Sequence, residues 1–355
     1  MSEPVRAALA AVVEGRTLDL ETARLAMGSV MDGEATPAQL AALLVALRMR
    51  GETVDELAGF ATAMRERVLR VVAPEGAIDV VGTGGDGSGT FNISTTAALV
   101  VAAAGVPVAK HGNRAMTSRS GAADVLEALG VRIDHTAESA AADLRDLGFA
   151  FLFAPGFHPA MKHAGPTRRE IGVRTAFNLL GPLTNPAGAR RALLGVGDAA
   201  AAPRIAEVAR RLGTERTLVV HGAGVDELPL DGSGVILDVT PDGVRESRVE
   251  PGLLGLRAAA TSELSGGTAD GNAALTVSIL DGRGGARRDV VLLNAGAAFV
   301  AAGLVTSLTQ GINLAAETID DGRARVLLER LRASKAAADE ARAAAEGAEA
   351  KGAAS

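Results

Sequence analysis

Cysteine, tryptophan and tyrosine are absent from this 355-residue chain, and each absence removes a class of chemistry. Without Cys there is no disulfide framework, no thiol nucleophile and no Cys-ligated zinc or iron–sulfur site. Aromatic residues make up 2% of the sequence, eight Phe in all, too few and too scattered to stack single-stranded nucleic acid. The five His form no H-x-x-x-H or H-E-x-x-H pattern, which argues against a His-built metal site. No apolar run reaches the roughly 18 residues of a membrane span; 97–109 and 292–305 fall short. The opening MSEPVRAALAAVVEG carries Glu3 and Glu14 and no secretory pattern. A net charge of −6 does not favour nucleic acid or anionic lipid as a partner. A soluble, cytoplasmic globular protein is the expectation.

Lysine is scarce as well. Of 36 basic residues only Lys110, Lys162, Lys335 and Lys351 are Lys, so a Lys inside a Gly-rich loop calls for a specific role that the planar guanidinium does not fill. What is abundant is small and aliphatic: hydrophobic residues are 48% of the chain and Gly numbers 43.

Residues 1–72 carry only helical patterns. Thr36-Pro37 is a cap followed by Pro at the first helical position, and Thr53-Val54-Asp55-Glu56 reads as a capping box. From residue 77, short β-branched runs (78–81, 106–109, 149–153, 193–196, 217–220) alternate with helical stretches (94–104, 122–129, 201–212, 272–280). That alternation predicts βαβ units around a parallel sheet. A stretch rich in Gly, Asp and Pro, 228–251, predicts a small antiparallel excursion, and late helices follow from 287 to 332. The expected fold class is α/β, with a small all-helical N-terminal domain (1–72, joined by helices from about 165–190) beside a larger domain with a mostly parallel central sheet (73–335). An Ala/Glu-rich tail, 336–355, is expected to fray outside the core.

The first chemical signal follows the strand at 78–81. GTGGDGSG (82–89) holds five glycines in eight residues and leads into a helix. A Gly-rich loop at a helix N-terminus offers backbone N–H groups and the helix dipole to an anion, commonly a phosphate. Ser94 or Thr95 as a plain helix cap is the alternative, but capping alone does not require five glycines. The segment also matches G-x-G-x-x-G, yet the acidic residue that a dinucleotide fold wants about 20 positions on is missing. No Asp or Glu lies between Asp86 and Asp124, while Lys110, His111, Arg114 and Arg119 do. A second loop, 110–118, follows the second strand, and both loops open at the carboxyl edge of the sheet, where one ligand can meet both. A solvated basic turn is the other reading of 110–118. Asp226-Glu227 follows a later strand; taken alone it reads as a polar turn, but opposite a phosphate loop it can hold Mg²⁺. The combination points to a diphosphate leaving group and group transfer from a phosphorylated sugar or nucleotide.

Six segments carry a resemblance: GTGGDGSGTFNIST (82–95), KHGNRAMTSRSGAADVLEALG (110–130), HPAMKH (158–163), IGVRTAFNLLGPLTNP (171–186), HGAGVDEL (221–228) and VVLLNAGAAFVAAG (290–303). Together they resemble the anthranilate phosphoribosyltransferase family, of the glycosyltransferase family 3, nucleoside-phosphorylase-like fold. The resemblance implies a homodimer with its ligand cleft between the helical and α/β domains. It further implies that Gly82, Gly85, Asp86, Thr90, Asn92, Ile93, Ser94 and Thr95 surround phosphoribosyl pyrophosphate. Lys110, His111, Gly112, Asn113, Arg114, Ala115, Met116, Thr117, Ser118 and Ala122 would complete that site. Gly82, Asn113 and Arg168 would contact anthranilate, with Arg168 meeting its carboxylate. Ser94, Asp226 and Glu227 would bind two Mg²⁺ ions, and Lys110, Asp226 and Glu227 would be catalytic. Two departures stand out: Ala122 and Thr117, where relatives carry Ser. Alternatives within the fold are a pyrimidine nucleoside phosphorylase and a nucleic-acid-binding relative without activity.

Overall fold

The computed structural model describes residues 2–115 and 119–353. Four helices come first: α1 (Glu3–Val13), α2 (Leu20–Met31), α3 (Pro37–Arg50) and α4 (Val54–Glu66). Each start is written into the sequence. The Asp19 carboxylate accepts the Thr22 N–H at 2.7 Å ahead of α2, and Thr36 with Gln39 and Thr53 with Glu56 form reciprocal capping boxes. Glu56 is fully buried and also accepts the Leu18 N–H at 2.9 Å while pairing with Arg50. One cap residue therefore ties α4 to the start of α2.

The chain then enters β1 (Ile78–Gly82), α5 (Ile93–Ala103), β2 (Val108–Gly112), α6 (Ala122–Ala128), α7 (Ala137–Asp146) and β3 (Phe149–Phe153). Short helices α8 (Ala154–Phe157), α9 (Gly165–Ile171) and α10 (Phe177–Leu180) lead to β4 (Arg191–Gly195), α11 (Ala202–Arg211) and β5 (Arg216–His221). The last segments are β6 (Gly234–Thr240), β7 (Gly243–Val249), α12 (Ala269–Leu280), α13 (Ala286–Ala302), α14 (Leu308–Asp320) and α15 (Arg323–Ala353). The expected antiparallel excursion is β6–β7, which extends the main sheet.

The seven strands lie in the order β3-β2-β1-β4-β5-β6-β7, parallel through β5 and antiparallel after it. Alternate residues serve two cores, as a period of two requires. Ile78 and Val80 pack with α5, α12 and α13 on one face, whereas Val81, Leu194 and Val219 share a core with α1–α4 and α11 on the other. Ala176, Phe177 and Leu180 join that second core. Successive βα units run outward from β1 toward β3 and from β4 toward β5, so the order reverses between β1 and β4. At such a reversal the loops beyond the carboxyl ends diverge and leave a crevice.

The last helix runs on through the tail. α15 continues to Ala353, and Ser334 Oγ donates to Asp143 at 3.1 Å while Arg342 pairs with Asp134 at 2.5 Å. Ala, Glu, Lys and Arg are strong helix formers. Once the docked first turns of α15 have nucleated the helix, each added residue gains a bond without a new nucleation cost.

Candidate active site

The loop after β1 explains its own glycines. Gly84, Gly85, Gly87 and Gly89 all have positive φ, between 64° and 75°, a region that L side chains rarely enter. At α5 the N-cap is Asn92, and its side chain caps nothing. Asn92 Nδ2 instead donates to the Ser120 carbonyl at 3.2 Å, and its Oδ1 accepts from Asn272 at 2.8 Å. Ser94 and Thr95 are therefore not caps either. The Ser94 N–H donates to Glu227 Oε1 at 3.0 Å, and the buried Thr95 hydroxyl has no partner among the described residues.

Asp226 and Glu227 reach this corner from the loop after β5. Asp226 Oδ2 accepts the Gly84 N–H at 2.7 Å, and the Asp226 N–H donates to Asp86 at 3.3 Å. Burial, followed by repulsion from Asp86, pushes the Asp226 carboxyl up to about 6. Burial and then Asp226 push Glu227 up to about 8. Asp226 and Glu227, side by side and shielded from water, resist ionising together. The close fit also assigns roles to glycines: a Cβ on Gly82 would lie 2.2 Å from Asp226 Oδ2, and one on Gly195 would lie 1.6 Å from the Asp226 carbonyl oxygen.

Lys110 lies beneath the second loop and is 2% exposed. Its ammonium donates to the Val80 carbonyl. Burial lowers its pKa, against the opposing pull of Asp79, Glu227 and Asp226, so the cation sits among three carboxylates. Asp79, itself buried and pushed up to about 6, accepts the His111 N–H at 3.1 Å and the Asn185 amide at 2.6 Å. His111 and His158 face each other with ring centroids 5.0 Å apart, both with an Nε2 unpartnered among the described residues. Burial drives both well down, to about 3 and about 4, which makes them neutral imidazoles.

Arg114 turns away from the crevice. It pairs with Asp124 at 2.9 Å and Glu127 at 2.8 Å, and its guanidinium lies over the Phe153 ring. The acid-free interval in the sequence is thus neutralised at this position by acids just beyond it. Asn113 Oδ1 accepts the Arg114 N–H at 2.7 Å, and a Cβ on Gly112 would lie 2.8 Å from the Phe151 ring. Ala122 opens α6, where only its backbone is polar. Met116, Thr117 and Ser118 lie outside the described residues.

Arg168, on α9, stacks over Phe177 with its Cζ 4.8 Å from the ring centroid. Among the described residues no carboxylate pairs with it, and desolvation lowers its pKa. It makes no hydrogen bond to the described residues of either loop. The geometry therefore gathers Gly82, Asp86, Ser94, Lys110, Asp226 and Glu227, while Arg168 stacks on Phe177 and bonds to none of these six.

Sequence reasoning passed over several participants. Arg174 Nη1 donates to the carbonyls of Gly84 and Gly85 at 2.9 and 2.6 Å. Asp79 and Asn185 support the second loop, and Asn272 braces Asn92. Only Gly195-Val196-Gly197 left a legible signal, a Gly pair at the end of a strand-like run.

Comparison with known proteins identifies the family of both domains. A helical bundle domain of the glycosyl transferase family matches residues 6–68, and the a/b domain of that family matches 74–325. The anthranilate phosphoribosyltransferase of Chloroflexus aggregans is 53% identical over 330 residues, covering 92% of this chain and 97% of its own. The crystal structure of the anthranilate phosphoribosyltransferase from Thermus thermophilus is 48% identical, with a TM-score of 0.88, covering 92% of this chain and 99% of that one. The Saccharomyces cerevisiae enzyme, in complex with phosphoribosyl pyrophosphate and Mg, is 27% identical with a TM-score of 0.87, covering 95% of this chain and 99% of that one. The chain belongs to the glycosyl transferase family that these two domains define and, within it, to the anthranilate phosphoribosyltransferases.

Proposed function

We propose that this chain transfers the phosphoribosyl group of 5-phosphoribosyl 1-pyrophosphate to anthranilate, giving N-(5-phosphoribosyl)anthranilate and pyrophosphate. The observation that carries this reading is the meeting of a glycine loop and a helix N-terminus with two carboxylates, half-buried Asp226 on the Gly84 N–H and buried Glu227 on the Ser94 N–H. Family membership supplies the acceptor, which the geometry alone leaves open.

Mg²⁺ is the proposed cofactor, with two ions held by Ser94, Asp226 and Glu227. The donor set fits such an ion: the ligands are hard oxygens, and the two carboxyls are raised by burial and by the acids beside them, which a cation would offset. Among the described residues no three His, Asp or Glu side chains are gathered closely enough to cage a metal unaided. That suits Mg²⁺, which takes one or two carboxylates and completes its shell with water and substrate phosphates. Bound there, it would neutralise the diphosphate as a leaving group.

The remaining work falls to the chain's own residues. Gly82, Gly85, Asp86, Thr90, Asn92, Ile93 and Thr95 shape the loop and helix end whose N–H groups receive phosphate oxygens. Lys110 adds a fixed positive charge next to them. His111, Gly112, Asn113, Ala115 and Ala122, with Met116, Thr117 and Ser118, enclose the sugar phosphate, and Arg114 adds only its backbone because its side chain is held by Asp124 and Glu127. Gly82 and Asn113 border the acceptor, and the Arg168 guanidinium, without a carboxylate partner among the described residues, orients the anthranilate carboxylate. The amine lone pair forms the bond to ribose C1 as the C1–O bond breaks, its electron pair leaving on pyrophosphate and the amine proton going to water. A neutral aryl amine is already a nucleophile, so no strong general base is required to begin. Positioning and fixed charge carry the catalysis.

We also propose a homodimer acting in the cytoplasm. Exposed Val13, Val45 and Met49 on α1 and α3 offer an apolar surface for the second copy, and light scattering at micromolar concentration tests it. Among the described residues no helix is long and apolar enough to cross a membrane.

Anthranilate fluorescence tests the activity directly. With no Trp and no Tyr in the chain, protein background is almost nil. The signal should fall only when phosphoribosyl pyrophosphate and Mg²⁺ are both present, and no turnover under those conditions refutes the proposal. Phosphate-dependent thymidine cleavage would instead favour a nucleoside phosphorylase.

A further inference from the structure

One buried side chain outside the crevice governs its acidic corner. Asn294, in the middle of α13, is 0% exposed. Its Oδ1 accepts the Leu228 N–H at 2.9 Å, and its Nδ2 donates to the Leu228 carbonyl at 3.0 Å and to the Val290 carbonyl at 2.9 Å. A carboxamide carries a donor and an acceptor side by side without charge, so it can meet both polar groups of one residue, as a neighbouring strand would. Leu228 needs such a partner. It is fully buried in the connection between β5 and β6, outside the sheet ladder, and Pro229 after it has no N–H to contribute. An unmet backbone group at that depth is costly.

The consequence reaches the site because the Leu228 N–H belongs to the peptide unit shared with Glu227. Holding that unit fixes one side of the Glu227 Cα. The other side is fixed by the Asp226 backbone, packed so closely on Gly195 that a Cβ there would sit 1.6 Å from the Asp226 oxygen. Between β5 and this pair the chain passes through Ala223, with φ of 50°, the only non-glycine residue of positive φ among the described residues. Such a conformation persists where the surroundings over-determine it. The loop is thus held at Gly195, at Leu228 and at the Ser94 N–H, which Glu227 itself accepts.

We propose that Asn294 is a positioning residue for the Asp226–Glu227 pair. By holding both polar groups of Leu228 it sets the direction of the Glu227 carboxylate toward the N-terminus of α5, and with it the affinity of the Asp226–Glu227 pair for a divalent cation. Asn294 itself touches neither substrate nor metal. The inference rests on the reading of Asp226 and Glu227 as cation ligands. Outer partners that orient ligands in this way typically alter metal affinity by roughly 10- to 100-fold when removed.

The test joins a variant with a measurement on the unaltered protein. Mn²⁺ binding, followed by electron paramagnetic resonance with pyrophosphate present, should weaken at least about tenfold in Asn294→Ala. The Mg²⁺ concentration for half-maximal turnover should rise by a similar factor, while KM for anthranilate stays within about twofold. A folded variant with unchanged Mn²⁺ affinity overturns the proposal, as does an equal loss on both substrate and metal. If Asn294→Ala does not fold, hydrogen exchange on the unaltered protein decides. The Leu228 amide should exchange as slowly as those of β5, and exchange at the rate of the Gly222 and Gly224 amides overturns the clamp. Wild-type protein that binds Mn²⁺ but never consumes anthranilate would sink the transferase reading and leave this one standing.

Discussion

The Asp226 carboxylate accepts the Gly84 N–H at 2.7 Å, joining two segments 142 residues apart. That bond places an anion on a loop built to receive anions. In the free protein the acidic pair occupies donors that a substrate phosphate would claim, and at Ser94 Glu227 does the same. On the proposed function, phosphate and cation binding together would replace these internal bonds, whereas phosphate alone would meet two carboxylates.

Gly195→Ala should damage the site through the backbone. The added Cβ would lie 1.6 Å from the Asp226 carbonyl oxygen, so the acidic loop has to shift. A displacement of this kind is expected to lower kcat by about 100-fold and stability by about 1–3 kcal/mol. Steady-state kinetics beside thermal unfolding checks both, and wild-type kcat in the variant would contradict the packing argument.

Glu227→Gln should change the pH dependence of stability. The folded, metal-free protein raises the Glu227 carboxyl from 4.5 to about 8, so it binds that proton more tightly than the unfolded chain does. Its contribution is fully present below pH 4.5 and is lost as pH rises toward 8. The variant should therefore gain stability relative to wild type across that interval. Urea unfolding of the two proteins at about pH 5 and about pH 8 measures the difference; a constant gap at both values counts against it.

Divalent cation binding should show the reverse trend. Both carboxyls must ionise to act as ligands, so affinity rises with pH through the range from about 6 to about 8 set by Asp226 and Glu227. Calorimetric titration of Mg²⁺ in the presence of pyrophosphate, with proton release followed in two buffers, reads this directly.

Arg168→Ala should separate the two substrates. The guanidinium is desolvated, stacked on Phe177 and without a carboxylate partner among the described residues, so it is available for the acceptor's anion. A charge-assisted pair of this type is worth about 1.5–3 kcal/mol, which raises KM for anthranilate roughly 10- to 100-fold. KM for phosphoribosyl pyrophosphate should stay within about threefold. Equal losses on both would remove Arg168 from this role.

Arg174→Ala should act on the other substrate. Its two bonds to the Gly84 and Gly85 carbonyls brace the glycine loop from the segment that follows α9. Loss of about 1 kcal/mol of loop order predicts a rise of roughly fivefold in KM for phosphoribosyl pyrophosphate, with anthranilate KM little changed. Unaltered kinetics would show that the loop needs no such brace.

Local sequence by itself determined the helix starts, the strand–helix alternation and the glycine loop. Thr36, Thr53 and the residues three places after them cap helices through contacts within one turn, and glycine stands where φ turns positive at Gly84 and Gly85. The acidic pair was legible only as a partner to that loop, because two adjacent carboxylates are common in turns. Tertiary structure alone decided which donor met which acceptor. Asn92 left its helix for Ser120 and Asn272, Arg114 turned to Asp124 and Glu127, and Lys110 was buried with Asp79. A side chain with several possible partners takes those that burial brings within about 3 Å, and burial depends on how distant segments pack. The tail is the converse case: its composition favours a helix, but that Arg342 within it meets Asp134 is set by how distant segments pack.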